Sequence, residues 1–579
     1  MILPELNYYL TTENSVKILL LNNYYNKITN ITEDKISIAQ KMLYNNKIKN
    51  ISSYTNKFII KNLDHLYNLK ELDCLGYQSV GHHNIKKLTK IVKIYCASNK
   101  KIKNINHLCN LKKLYCNDYS AINQNGIKRL TKITKIDCNY TNLIKNLNHL
   151  CKLKKLHCEG SKINQEGIKY LTKIVKLNCE SNDKIKDVNH LSNLKKLYCC
   201  DKSRIDQEGI KRLTKITKIK CDNNFKINDV NHLRNLKNLY CQEKSAIDQN
   251  GIKHLTKIVK LCCSSNKKIN DVNFLYNLKK LDCRNNSGID QNGIKHLTKI
   301  IRLMCSNNKK ITDINHCCNL EELSCNDASG IDQKSIQYLT KIIKLSCHYS
   351  DKIHDVNHLC NLKELHAYSN NGIDQNGIKD LRKIIKLACD DNEKITDVNH
   401  LSDLQELDCS ENSGIDQNGI KDLRKIIKLD CDDNEKIKDV NHLCNLSRLN
   451  CRRNSGIDQK GIDHLSKIIK LNCDYNGKIK DVNHLGNLEE LHCNENSGVD
   501  QDGIKFLTKL IELNCDYNEK IKDVNHLCNL EKLYCCNNSG IDQNGIKNAT
   551  KLITLYYDYN EKIKDVTHLC NLELKWSMI

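Results

Sequence analysis

Two hydrophobic periods are superposed along this chain. The short one is an alternation. In Ile426-Ile427-Lys428-Leu429-Asp430-Cys431-Asp432, Leu429 and Cys431 fall on one side, and Lys428, Asp430 and Asp432 on the other. That is the pattern of a half-buried strand. The long period is a repeat marked by Asn-His-Leu, whose histidine returns from His65 to His568 at 42-residue spacing, apart from 41 between His149 and His190. Phe274 takes one of its places. Each period splits into two similar halves, Leu404–Asn412 and Ile426–Asn434 being one pair. Both fit L-x-x-L-x-C-x-x-N-x-x-I, and the halves alternate between about 22 and 20 residues. One such unit has too little apolar surface to bury alone, so the pattern predicts strand–turn units stacked on their neighbours.

Over residues 46–579 these units resemble the leucine-rich-repeat superfamily. The resemblance implies an α/β solenoid of about 24 units, in 42-residue pairs, with parallel strands on a concave face. Short helices or turns would line the convex face, and residues 1–45 would form a small helical N-terminal cap. The Asp-Gln-x-Gly-Ile segments, such as Asp290–Ile294, read as N-caps opening those convex helices.

Three ladders follow from the register. Cysteine fills the second inward strand position from Cys74 to Cys535, with Ala367 and Tyr557 in two places. A small apolar side chain suits a crowded core, and no repeated C-x-x-C accompanies it, so the expectation is packing and not metal. Asparagines such as Asn224 and Asn434 stand three residues later and can satisfy the turning backbone. The repeated histidine reads as a turn-stabilising group.

Composition narrows the class further. One Pro, one Trp and four Phe argue against several conventional cores. Lys+Arg 92 against Asp+Glu 68 gives +24, which favours acidic partners but is also what a solvated Lys-rich surface produces. The 33 cysteines, mostly at one buried position, point to free thiols in a reducing compartment. With no apparent signal peptide or membrane span, the expected location is intracellular and cytoplasmic. No nucleotide-binding, zinc-protease or hydrolase motif occurs, so the expectation is a protein that is not an enzyme, with no catalytic residues, metal or cofactor.

In leucine-rich-repeat proteins the concave face commonly binds the partner, which directs attention to the outward strand positions. The lysine before the inward Leu recurs, for example as Lys113, Lys135, Lys176, Lys218, Lys344, Lys386, Lys428 and Lys470. Between the Leu and the Cys stand Tyr95, Tyr115, His157, Tyr198, Lys220 and Tyr240, and after the late cysteines stand Asp390, Asp432, Asp474, Asp516 and Asp558. A groove basic early and acidic late fits a protein partner. The alternative is nucleic acid or another polyanion on the early, tyrosine-containing part.

Residues 1–45 do not follow the period. Leu3-Pro4-Glu5-Leu6, then Tyr9-Leu10, then Val16, Leu20, Leu21, Tyr25 and Ile28 resemble a degenerate F-box with a shortened first helix. The resemblance implies an SCF-type ubiquitin-ligase adaptor held by Leu3, Pro4, Leu6, Leu10, Val16, Leu20 and Tyr25, with the chain as substrate receptor. A plain cap sealing the first repeat is the other reading. The Lys/Asn/Ile-rich composition and near-identical repeats also resemble repeat proteins of large DNA viruses of amoebae, for which the location would be the host cytoplasm.

Overall fold

The structure, a computed structural model, describes residues 50–52, 68–75, 80–369, 372–569, 571–572 and 574–576. The chain divides into two compact units, Met1–Cys262 and Cys263–Ile579. In each, three-residue strands pair in parallel with the next strand along the chain. In the first unit, Lys93, Ile94 and Tyr95 face Lys113, Leu114 and Tyr115. In the second, Lys428, Leu429 and Asp430 face Arg448, Leu449 and Asn450. Each unit is therefore a leucine-rich-repeat solenoid, as the period predicts.

One coil shows how the core is built. Leu429, Cys431, Ile437, Val440, Leu443 and Leu446 are all at most 1% exposed. Burying each large aliphatic stabilises the coil by about 1.5–3 kcal/mol, but only because adjacent coils cover it. The cysteines do more than fill space. Cys96 Sγ donates to Tyr115 O at 3.3 Å, and the same carbonyl receives the Cys96 N–H at 2.8 Å. Among the described residues every cysteine is free. Burial pushes the ladder thiols up, Cys179 to about 12, so they stay protonated and unreactive.

After the strands from Lys93–Tyr95 to Thr554–Tyr556 the chain turns through a left-handed residue, commonly two places after the cysteine, as at Asn223 (φ 55°) and Asp433 (φ 58°). The buried asparagine then closes the turn. Asn224 Nδ2 donates to Cys199 O and Ile205 O, while its Oδ1 accepts from the N–H groups of Lys226 and Ile227. In the longer units the residue at the asparagine's position, such as Asn412, is exposed, and a serine one place later, such as Ser245 or Ser455, is buried instead, a ladder not evident from the sequence pattern.

The convex face carries short helical turns, within the expectation of short helices or turns. Asp290 does cap, accepting from Gly293 N–H at 3.0 Å. What it caps is a single 3-10 turn, Asn292–Ile294, and the Gln165–Ile168 segment is one four-residue α-helical turn. Close packing of coils explains the brevity. A Cβ on Gly293 would lie 1.9 Å from Asn270 O of the preceding coil, and Gly293 O accepts from Val272 N–H at 2.9 Å. The histidines bridge coils in the same way, His442 Nε2 meeting Ile420 O at 2.9 Å, which matches the turn-stabilising reading. The expected cap and adaptor residues Leu3, Pro4, Leu6, Leu10, Val16, Leu20 and Tyr25 lie outside the described residues.

Candidate functional site

Because Leu and Cys point inward, the first and third residues of each strand share the opposite face. In the first unit the first position is a run of lysines: Lys93, Lys113, Lys135, Lys155, Lys176, Lys196 and Lys218, each in register with the next. Lys93 reaches Glu71 at 3.0 Å. Among the described residues, Lys113, Lys155, Lys176, Lys196 and Lys218 have no carboxylate within salt-bridge distance. Neighbouring strands lie about 4.8 Å apart. Burial and then the charges of Lys135, Lys196, Lys155 and Lys218 hold the Lys176 ammonium below the usual lysine range.

The six residues expected on this face are all there, at the third strand position and half-buried. Tyr95 and Tyr115 stack with ring centroids 4.3 Å apart. Lys218 sits between two other tyrosines, 5.3 Å from the Tyr198 ring and 4.8 Å from the Tyr240 ring. Lys220 reaches the same rings, and His157 instead meets Asp137 at 3.3 Å. Glu180 and Asp222 follow the cysteines beyond the other end of the strands, near Lys220. The face is thus polarised across the strands, cationic where each strand begins.

The second unit uses the same position differently. Arg302, Glu322, Lys344, Glu364, Lys386 and Glu406 alternate in register. Arg302 pairs with Glu322, Lys344 with Glu364 at 2.5 Å, and Lys386 with Glu406 at 3.2 Å. Further along, Lys470 pairs with Glu490 and Lys532 with Glu512, the latter at 2.8 Å. A hydrogen bond from Lys532 to Glu512 is the main reason its pKa is raised. From Arg302 to Lys428 the sequence carries Glu at every second such position, a pattern hidden behind the more frequent lysines; beyond it Lys428, Arg448 and Lys470 are three cations in register.

The acidic ribbon needs correction. Asp390, Asp432, Asp474, Asp516 and Asp558 follow alternate strands, so neighbours in the row are roughly 10 Å apart and form no continuous ribbon. Ser410, Arg452, Asn494 and Cys536 occupy the places between. Nor does Asp432 point freely outward: it is 7% exposed and paired with Arg452 at 2.7 Å. Asp474 and Asp516 accept from the N–H groups of Asn494 and Cys536 on the next coil. The closer acidic contact is one strand over, where Asp408 and Asp430 are register partners bridged by the Ser410 hydroxyl. Burial, followed by Asp408, pushes Asp390 up to about 7.

Parallel three-residue strands, a buried cysteine–asparagine frame and 3-10 return turns define a leucine-rich-repeat solenoid. Neither a protein-family model nor a curated protein sequence matches the chain. Solved structures align with it, TLR13 with a TM-score above 0.5. TLR13 in its ssRNA13 complex aligns with a TM-score of 0.51 at 16% identity, covering 86% of this chain and 85% of that one. The functional domain of InlJ from Listeria monocytogenes, described as including a cysteine ladder, gives 0.36 at 22% identity, over 67% and 74%. The ectodomain of the Arabidopsis thaliana receptor kinase GASSHO1/SCHENGEN3 gives 0.39 at 12%, over 93% and 79%. Among the described residues no helix is long and apolar enough to cross a membrane.

Proposed function

We propose that this chain is a non-catalytic binding scaffold, and that the first unit's strand face holds an extended polyanion, single-stranded nucleic acid being the best fit. The observation that carries this is the in-register row from Lys93 to Lys218, most of it without carboxylate partners. A chain of phosphates laid along the row relieves its repulsion and releases counterions. Tyr95, Tyr115, Tyr198 and Tyr240 beside the row supply rings for unpaired bases, the usual pairing of features in single-strand binding. Confinement to this face avoids the carboxylates of residues 390–558. The fold is compatible with such a ligand, since TLR13 is described in a complex with ssRNA13.

The test is fluorescence anisotropy of labelled oligouridylate and oligothymidylate with the full chain, against a polyglutamate competitor. Contact with about six phosphates gives a log–log salt slope on the order of −4. Joint replacement of Lys135, Lys176 and Lys218 by Gln should weaken binding at least tenfold at low salt. Equal binding by that variant, or a preference for polyglutamate, would sink the nucleic-acid reading.

A protein partner is the second reading, and it belongs to the other unit. There, Ile343 and Ile469 are each 38% exposed, beside Lys344 paired with Glu364 and Lys470 paired with Glu490. Apolar points within a neutralised polar surface suit a protein interface better than a polyanion. A ubiquitin-ligase receptor role would require an adaptor on residues 1–45, and its only support is the F-box resemblance. Co-precipitation of an SCF-type adaptor by the full chain, but not by a form lacking residues 1–45, is the measurement that decides it.

A further inference from the structure

A different chemistry is assembled late in the second unit, away from the lysine row. Glu490 and His492 are the first and third residues of one strand, so they project to the same face. Glu512 opens the next strand, in register with Glu490. One donor atom from each of the three lies within 4.8 Å of the other two. His492 Nε2 is 3.4 Å from Glu490 Oε1 and 3.9 Å from Glu512 Oε1. Even so, this nitrogen is shielded from solvent and makes a hydrogen bond to neither.

The remaining carboxylate oxygens explain the orientation. Lys470 holds Glu490 Oε2, and Lys532 holds Glu512 Oε2 at 2.8 Å. Each glutamate is anchored by a lysine through one oxygen and turns the other toward the imidazole. Such outer contacts are what orient metal ligands in protein sites. His157 Nε2 and His366 Nε2 are also shielded and unpartnered, but among the described residues only His492 belongs to a three-donor group. Asp474 and Asp516 are close enough to feel the His492 charge, so the surroundings are rich in carboxylate.

We infer that Glu490, His492 and Glu512 form a divalent transition-metal site, with Zn2+ the ion this donor set fits. Zinc takes imidazole nitrogen at 2.0–2.1 Å and carboxylate oxygen at 2.0–2.2 Å, which places tetrahedral ligands about 3.4 Å apart. The His492–Glu490 separation already matches, and Glu512 needs only side-chain rotation to close the remainder. The ion takes the lone pair of Nε2, which the shielded, unpartnered nitrogen has free to offer when the imidazole is neutral. Three protein ligands leave a fourth position for water. A cavity of about 180 Å³ bordered by Asn472, Lys470, Glu490 and His492 gives that position room.

The experiment uses the full chain, stripped with chelator under reducing conditions and titrated with Co2+ as a spectroscopic stand-in for Zn2+. The expected result is a single equivalent bound with nitrogen/oxygen d–d bands, no thiolate-to-cobalt charge transfer, and displacement by Zn2+. His492→Asn and the isosteric Glu512→Gln should each weaken that binding by more than about tenfold, the scale on which even outer-shell changes act. Both leave the buried Leu and Cys positions untouched. Melting of the metal-free variants reports folding separately, and if His492→Asn unfolds, Glu512→Gln carries the test. Wild-type affinity in a folded Glu512→Gln variant overturns the inference, as does a spectrum carrying only thiolate bands. So does absence of metal binding by the folded wild-type chain.

Discussion

The two units share one frame, and from Arg302 to Glu406 the second dresses it in the opposite way to the first. In the first, Lys155, Lys176 and Lys196 stand in register on successive strands. In the second, Lys344, Glu364, Lys386 and Glu406 alternate and pair. Like charges about 4.8 Å apart repel by roughly 1 kcal/mol even at a water-like dielectric, before salt screening. The second unit shows that the same backbone accepts neutralising glutamates at this position without altering strand length or pairing. The lysine row is therefore not required by the fold. An uncompensated row on a frame that tolerates compensation is better explained by an anionic ligand than by stability.

The comparison fails first if the frames themselves differ. Asn224 in the first unit and Asn434 in the second make the same contacts, each donating to the carbonyls of the preceding coil's Cys and Ile. Alanine at either position leaves buried carbonyl and N–H groups without partners, a loss of about 3 kcal/mol. Denaturant unfolding of Asn224→Ala and Asn434→Ala should show losses that agree within about 1 kcal/mol. A large loss in one unit alone would mean that the shared frame is not equally stressed, and the contrast between faces would lose its control.

Next in size is the effect on ligand binding. Tyr198→Ala should weaken single-strand binding by about 1–2 kcal/mol, a stacking contact's worth. Replacement of Lys344, Lys386 and Lys470 by Gln should leave binding unchanged, because those lysines already face glutamates. Anisotropy titrations on the two variants separate the units directly. An equal loss from the second set would show binding spread along both faces and would remove the distinction.

Most of the frame was legible because identical demands recur in every coil. The alternation around Leu429 and Cys431, the asparagine turns and the bridging histidines follow from burial and backbone satisfaction alone. The extent of the convex helices was not legible. It depends on how closely Gly293 approaches Asn270 of the preceding coil, a distance between segments about 23 residues apart. The face was legible only in part. The tyrosines were found by position, but Asp432 was read as exposed, since nothing local announces that Arg452 covers it. The Glu490–His492–Glu512 group was overlooked for a related reason. His492 looks like one variable residue among many until the register sets Glu512 beside Glu490.

A smaller effect is pH-dependent and confined to the second unit. Asp390 is raised to about 7 by burial and by Asp408, from an ordinary value of 3.8. The folded state therefore holds its proton where the unfolded chain has lost it, so stability is greatest below about pH 4 and declines as pH rises toward 7. The carboxyl is half exposed, and solvent screening limits the decline from this group to less than about 1 kcal/mol. Asp390→Asn should remove that part of the decline and make the variant slightly more stable than wild type at pH 8. Urea midpoints at pH 5 and pH 8 check it, and a variant less stable at pH 8 would mean that Asp390 is held by a favourable contact.

The smallest effect asks whether the lysine row is under tension without ligand. Lys176→Gln removes one charge from between like-charged neighbours, so it should raise stability by a few tenths of a kcal/mol at low salt. Lys386→Gln removes a partner from Glu406 and should lower stability by a similar amount, the usual scale of an exposed pair. Salt should shrink both differences, since each is a surface electrostatic effect. Denaturation of the two variants at low and moderate NaCl gives opposite signs if the faces differ as described. Matching signs would mean that bound counterions already neutralise the row, and its repulsion would no longer argue for a ligand.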